Sequence, residues 1–389
     1  MKTGAKTARN GPPPLDSGSN PGLAAIALLG RLDKPTDGVR DYCSLLSQAF
    51  LRRGDRLDLA ELRWEDQGWV KSLWQLWRDS RGWTGRWVLF QYTALMWSRK
   101  GFPVGALAVL GILRLRGTKL CIVFHDISND SRSGMKQRIR VAFQYWTMRT
   151  ALRWATRSVL TVPLKQVPWL PRNTQKAVFI PVGANFPEID HKIENAAASL
   201  PLAPTVAVFG ITGGATGAEE IEDIVYAVKQ AKSKVARLRV MIIGRGSAER
   251  EGILRKRLDG SEIELQVLGL LPAEEIRKTL AGASAMLCVR GYISTRRGNA
   301  IAGIVCGLPV AGYSGSETGF PITEAGLLLY DKRDRDGLAD GLCRILTDDK
   351  LRGELRIRSL TAAQKYFSWD SIAAQFHAFL VNSGEFQRE

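Results

Sequence analysis

Beyond residue 205 the chain alternates between short apolar runs and longer amphipathic stretches, and this alternation restricts its fold more than any other feature. Residues 205–209, 238–243, 264–268, 285–289 and 310–311 read as strands. Between and after them, 219–230, 248–258, 272–281, 300–306, 337–346 and 351–367 read as helices. Strand and helix in strict turn predict a parallel, doubly wound α/β sheet. The first half follows the same plan less regularly. Strands are expected at 23–29, 57–62, 87–92, 119–124, 158–162 and 177–180, and helices at 41–53, 104–115 and 136–157. Residues 64–85, rich in Trp and Arg, show no clean period.

At 389 residues the chain has room for two domains of ordinary size. Residues 1–21 are rich in Gly, Pro and Ser and read as a disordered tail, not a signal peptide, and no apolar run reaches the length of a membrane span. The five cysteines are scattered without a C-x-x-C pair, so neither a zinc site nor a disulfide framework is indicated, and a reduced, cytoplasmic setting is expected. The net charge of +17 sits almost wholly in the first half. Residues 1–200 hold 30 Lys and Arg against 15 Asp and Glu, and ten of the eleven tryptophans. Basic residues with aromatics favour an anionic surface, either membrane headgroups or nucleic acid. The stretch 136–157, with six basic residues and no acid, reads either as an interfacial helix on anionic lipid or as a core-packed helix with a solvated basic face.

The stretch 285–313 holds the densest functional pattern: a strand, a polar loop carrying Arg296 and Arg297, then Gly298 and Asn299 leading into a small-residue helix stopped by Gly307 and Pro309. A helix N-terminus offers unpaired N–H groups and partial positive charge, which suit a phosphate. Two guanidiniums add bidentate donors. A plain βαβ unit with a solvated Arg-Arg turn accounts for the same residues.

The run Gly307-Leu308-Pro309-Val310-Ala311 resembles the end of the signature region in retaining, GT-B-fold glycosyltransferases of family four. Two glutamates, eight positions apart, commonly stand ahead of it in that family; here those places hold Ser294 and Ala302. Arg296-Arg297-Gly298-Asn299 resembles instead an R-R-G-S/T variant lacking the carboxylate pair. Further matches are Asp37-Gly38 after the first strand, Gln91-Tyr92 with 98–103, and the I-P-x-G-like run at 180–183. The resemblance spans roughly residues 22–383 and implies two Rossmann-like domains facing a cleft: an acceptor domain at 22–186, a linker at 187–204, a nucleotide-sugar domain at 205–367, and a C-terminal segment, 368–389, whose helix braces the first domain.

The activity it implies is transfer of a sugar from a nucleotide-sugar donor with retained configuration, without a metal or cofactor, to a lipid-linked or polysaccharide-precursor acceptor. His125, ending a strand, would orient the donor sugar; Arg296, Arg297, Gly298, Asn299, Gly210, Arg245 and Gly38 would hold the donor. Glu317 and Glu324 could take a ribose or sugar hydroxyl. The protein would work in the cytoplasm, peripherally at the inner membrane face. Two other readings are a non-catalytic GT-B subunit of a glycan-assembly system and a nucleic-acid-binding protein; nucleic acid is not the expected partner.

Overall fold

A computed structural model describes residues 22–32, 37–126, 134–187, 203–332 and 334–382. The expected tail and most of the expected linker lie outside the described residues. The first half forms a six-stranded sheet from β1 (Ala24–Leu29), β2 (Arg56–Glu61), β3 (Trp87–Tyr92), β4 (Lys119–Phe124), β5 (Arg157–Leu160) and β6 (Ala177–Phe179). Its order is β2-β1-β3-β4-β5-β6, with every pair parallel. The central strand β3, WVLFQY, is buried at all six positions, as an apolar run between two helical layers must be.

The helices of this half are α1 (Gly38–Arg52), α2 (Trp64–Gln67), α3 (Trp69–Asp79), α4 (Val104–Leu115) and α5 (Met135–Trp154). Asp37 caps α1 by accepting from the Val39 and Arg40 N–H groups. The step from β1 to β2 runs opposite to the steps from β2 through β5. Right-handed crossovers therefore place α1 on one face of the sheet and α3, α4 and α5 on the other. The two helices α2 and α3 occupy the stretch in which no element was expected.

The second sheet contains β7 (Thr205–Phe209), β8 (Arg239–Ile243), β9 (Glu264–Gly269), β10 (Ala285–Cys288), β11 (Val310–Ser314) and β12 (Leu327–Asp331), in the order β12-β11-β10-β7-β8-β9 and again all parallel. The edge strand β12 was not anticipated. Its helices are α6 (Gly214–Lys232), α7 (Glu251–Leu258), α8 (Ala273–Ala281), α9 (Gly298–Val305), α10 (Arg335–Thr347) and α11 (Asp349–Ala362). The helix expected at 351–367 ends at Ala362 and closes with a π turn, Ala363–Phe367.

The last helix, α12 (Trp369–Val381), packs against α1. Its Trp369 indole donates to the Ala184 carbonyl at 2.9 Å, Asp370 pairs with Arg52 at 2.7 Å, and His377 Nδ1 lies 2.7 Å from Asp55 Oδ2. One hydrophobic core runs from the first sheet through α9 and α12, and a second fills the other face of the second sheet.

Candidate active site

In an open parallel sheet, ligands bind beyond the carboxyl ends of the strands, where the strand order changes direction. Here those points lie between β1 and β3 and between β7 and β10. At the first opens a cavity of about 350 Å³, lined on the first-sheet side by Arg31, Gly38, Tyr42, Thr93, His125 and Asp126. Arg296 and Gly298 close it from the second half of the chain.

His125 follows β4 directly, and its backbone N–H continues the ladder to the Tyr92 carbonyl. Its Nε2 lies 2.9 Å from Gln91 Oε1. The Gln91 amide donates its own N–H to the Leu89 carbonyl at 3.2 Å, which turns Oε1 toward the ring. Nε2 therefore carries the proton, and Nδ1 keeps its lone pair. Burial, reinforced by the positive Arg296, lowers the His125 pKa to about 4, so the ring is neutral at physiological pH. Tyr42 holds the ring edge-on, with centroids 5.1 Å apart. The Tyr42 hydroxyl is buried with no hydrogen-bond partner among the described residues. Beside it, burial raises the Asp126 carboxyl pKa against the opposing pull of Arg296, while Asp126 Oδ2 accepts from the Ala94 N–H at 3.1 Å.

The loop before α9 is fastened to the first sheet. The Val182 N–H donates to the Thr295 carbonyl at 3.0 Å, and the Thr295 hydroxyl donates to the Thr161 carbonyl at 2.8 Å. Helix α9 begins at Gly298, two residues before the expected start, so the N–H groups of Gly298 and Asn299 fall in its first turn. Asn185 stands between the starts of α1 and α9. A Cβ on Gly298 would sit 3.2 Å from Asn185 Oδ1, and one on Gly38 would sit 3.4 Å from its Nδ2.

Arg296 does not point its whole fork at the cavity. Its Nε and Nη2 bond the two carboxylate oxygens of Glu317 at 2.6 and 2.9 Å. Glu317, expected to be open to a hydroxyl, is thereby engaged. Arg297 occupies the N-cap position of α9 without a side-chain capping bond, and its guanidinium lies against Gly291, where a Cβ would come within 2.8 Å of Nη1. Ser294 and Ala302, at the places of the missing carboxylates, are both fully buried. Glu324 is exposed on a short turn.

At the second switch point Gly210 follows β7 with φ +79°, and its N–H donates to the Ile243 carbonyl. A Cβ there would stand 3.0 Å from Arg290 Nη1. Arg290 comes from the segment after β10 and makes no hydrogen bond or ion pair with the described residues. Next along, the Thr212 N–H and hydroxyl both donate to the buried Glu220 carboxylate at 2.7 and 2.8 Å, which fixes the loop. Arg245 is exposed at the end of β8, and its carbonyl accepts from the Ile211 N–H at 2.9 Å.

The expected residues thus fall into two groups. Gly38, His125, Arg296 and Gly298 line one cavity, with Asn299 next to it in α9. Gly210 and Arg245 lie at the carboxyl ends of β7 and β8, and Arg297 belongs to neither group, its guanidinium lying against Gly291. Sequence reasoning missed Arg290, Asn185 and Tyr42 as site residues. Only Asn185 left a trace, as the end of the 181–185 run.

No protein-family model and no curated relative matches this sequence. Solved structures do match its fold. The sucrose-phosphate synthase of Thermosynechococcus elongatus is 18% identical with a TM-score of 0.67, over 92% of this chain and 98% of that one. Anabaena HepE, solved with UDP and glucose, is 14% identical with a TM-score of 0.60, over 92% and 98%. A glycosyltransferase of Rickettsia africae is 10% identical with a TM-score of 0.63, over 93% and 100%. The two six-stranded parallel sheets and their flanking helices are the GT-B fold.

Proposed function

We propose that this protein is a glycosyltransferase that moves a sugar from a nucleotide-sugar donor to an acceptor with retained configuration, working between a domain at 22–186 and a domain at 205–367. The observation that carries the reading is the pairing of Gly210 with Arg290, a guanidinium without an acid partner among the described residues, at the switch point of the second sheet. Sugar-nucleotide transfer leaves a diphosphate, and its developing charge is what fixed cationic donors can stabilise. Arg290, Arg297 and the first N–H groups of α9 would supply that charge, the α9 donors acting through the helix dipole. Arg296, neutralised in part by Glu317, would set the shape and potential of the cavity rather than act as the main phosphate ligand.

His125 would accept a hydroxyl hydrogen of the donor sugar at Nδ1, since its protonated Nε2 faces Gln91. The cavity between α1 and α9 would admit the acceptor hydroxyl, in a lipid-linked or polysaccharide-precursor molecule. The likeness to structures crystallised with UDP and glucose, or with UDP-glucose, supports a nucleotide-sugar donor. The test is release of nucleotide from UDP-, GDP- and ADP-sugars by the purified protein, with Arg290→Ala as control. Release from one donor class, reduced at least about a hundredfold in the variant, bears the reading out. The commitment of Arg296 to Glu317 favours a second reading, a non-catalytic subunit of the same fold, which predicts no release from any donor.

A further inference from the structure

We propose that the outer helical layer of the first sheet, formed by α3, the start of α4 and α5, docks on an anionic lipid surface. Helix α5 buries one face through Gln144, Thr147, Met148, Ala151 and Leu152. Its opposite face carries a second apolar stripe. Met135, Ile139 and Trp146, at helical spacing, are 74, 57 and 52% exposed. Phe143 joins them, edge-on to Phe102 at 5.4 Å and 5.4 Å from Trp146. Helix α3 repeats the arrangement: Leu76 is buried, whereas Val70 and Trp74 are 86 and 61% exposed.

Placement argues for one continuous surface. Right-handed crossovers put the starts of these helices at the carboxyl edge of the sheet, the edge at which the cavity opens. Trp69, at the start of α3, packs on Gly105 at the start of α4, where a Cβ would come within 2.0 Å of the indole. The connection after β3 then joins cavity to surface. Thr93, Leu95 and Met96 line the cavity, and Gln144 of α5 donates to the Gly101 carbonyl at 2.7 Å.

Charge selects the occupant. Helix α5 carries five basic residues and no acid. Lys71, Lys100, Lys136 and Arg138 are exposed and form no ion pair with the described residues. Glu65, on α2 beside this surface, is closed by Arg31 at 2.8 Å and Arg99 at 3.1 Å. Unpaired cations flanking exposed Trp, Ile and Met match the headgroup and upper acyl region of an anionic monolayer. The acceptor would then be an amphiphile whose polar end reaches the cavity while its apolar end stays in the monolayer. That last step rests on the transferase reading; the docking does not.

The test is flotation of the full chain with vesicles of phosphatidylcholine alone or mixed with phosphatidylglycerol. Two variants change only exposed side chains: Trp74→Ser/Trp146→Ser and Lys136→Glu/Arg138→Glu. The protein should float with the mixed vesicles and not with phosphatidylcholine alone, and each variant should bind at least about tenfold more weakly. Thermal melts and nucleotide titrations of both variants should match the unaltered protein. Flotation that persists without any nucleotide binding would uphold the docking and remove the acceptor step alone. The proposal is overturned by absence of flotation, by flotation indifferent to both variants, by equal binding to both vesicle types, or by capture of a single-stranded oligonucleotide in place of vesicles.

Discussion

Arg296 and Glu317 form a two-pronged ion pair, Nε to Oε2 at 2.6 Å and Nη2 to Oε1 at 2.9 Å, with only 20 and 12% of the side chains exposed. It joins the loop before α9 to the segment after β11, beside the cavity. Losing one partner takes the two-pronged contact away from the other charge in a partly dry site. Glu317→Ala should therefore cost roughly 1–3 kcal/mol, below the loss for a fully buried pair because solvent reaches part of both groups. The Arg296→Met/Glu317→Met double variant should recover much of that loss in urea denaturation. A double variant no more stable than Glu317→Ala would contradict this view of the pair.

His125 makes stability depend on pH in a defined direction. Its folded pKa of about 4 lies below the ordinary 6.5, so below 6.5 the unfolded chain binds the extra proton first. Stability should then fall as pH drops from about 6.5 to about 4, by at most about 3 kcal/mol, less any screening at the cavity mouth. Comparing urea midpoints of the wild type and His125→Gln across this window isolates the contribution. Identical slopes would show that the ring is not held neutral by its surroundings.

Trp369 ties α12 to the end of the first half. It is buried, donates to the Ala184 carbonyl, and stands edge-on to Tyr42 at 5.4 Å, which in turn abuts His125. Trp369→Ala should cost about 3–5 kcal/mol through the cavity left and the lost bond. Gly183→Ala should act on the same contact, because its Cβ would come within 2.7 Å of the indole. Melting temperatures of both variants check this, and an unchanged Trp369→Ala melt would rule out a bracing role for the helix.

Gly291 has φ +65° and lies under the Arg297 guanidinium. Gly291→Ala keeps the arginine and displaces it. Donor-nucleotide affinity should fall about as far as in Arg297→Ala, roughly tenfold to a hundredfold for one charge-assisted contact. Full affinity in Gly291→Ala together with loss in Arg297→Ala would mean that the arginine binds from another position.

Much of the architecture was legible in the sequence, for a physical reason. Runs such as 205–209 and 87–92 are buried on both faces, so their composition alone marks them as strands of a parallel sheet. The stretch 64–85 was harder to read because α2 is only four residues long and stops at Gly68, with φ +81°, so a window spanning both helices blurs the helical spacing that α3 carries on its own. Exposed Val70 and Trp74 also give α3 apolar residues on its outer face. The start of α9 was misplaced by two residues because Gly and Asn are weak helix formers inside a helix yet acceptable in its first turn. The placement of His125, Gly38 and Gly298 around one cavity followed the expected strand ends. The contact of Arg290 with Gly210 could not be read in advance. It depends on β10 lying beside β7, a neighbour relation that local periodicity does not encode.

The most direct test of the account is calorimetric titration of the protein with UDP, GDP and ADP, beside an Arg290→Ala/Arg297→Ala variant checked for folding by its thermal melt. Binding of one nucleotide in the micromolar range is expected, weakened at least about a hundredfold in the variant, the loss expected for two charge-assisted contacts to a diphosphate. A well-folded protein that binds none of the three, or binds one equally well without both arginines, would contradict it.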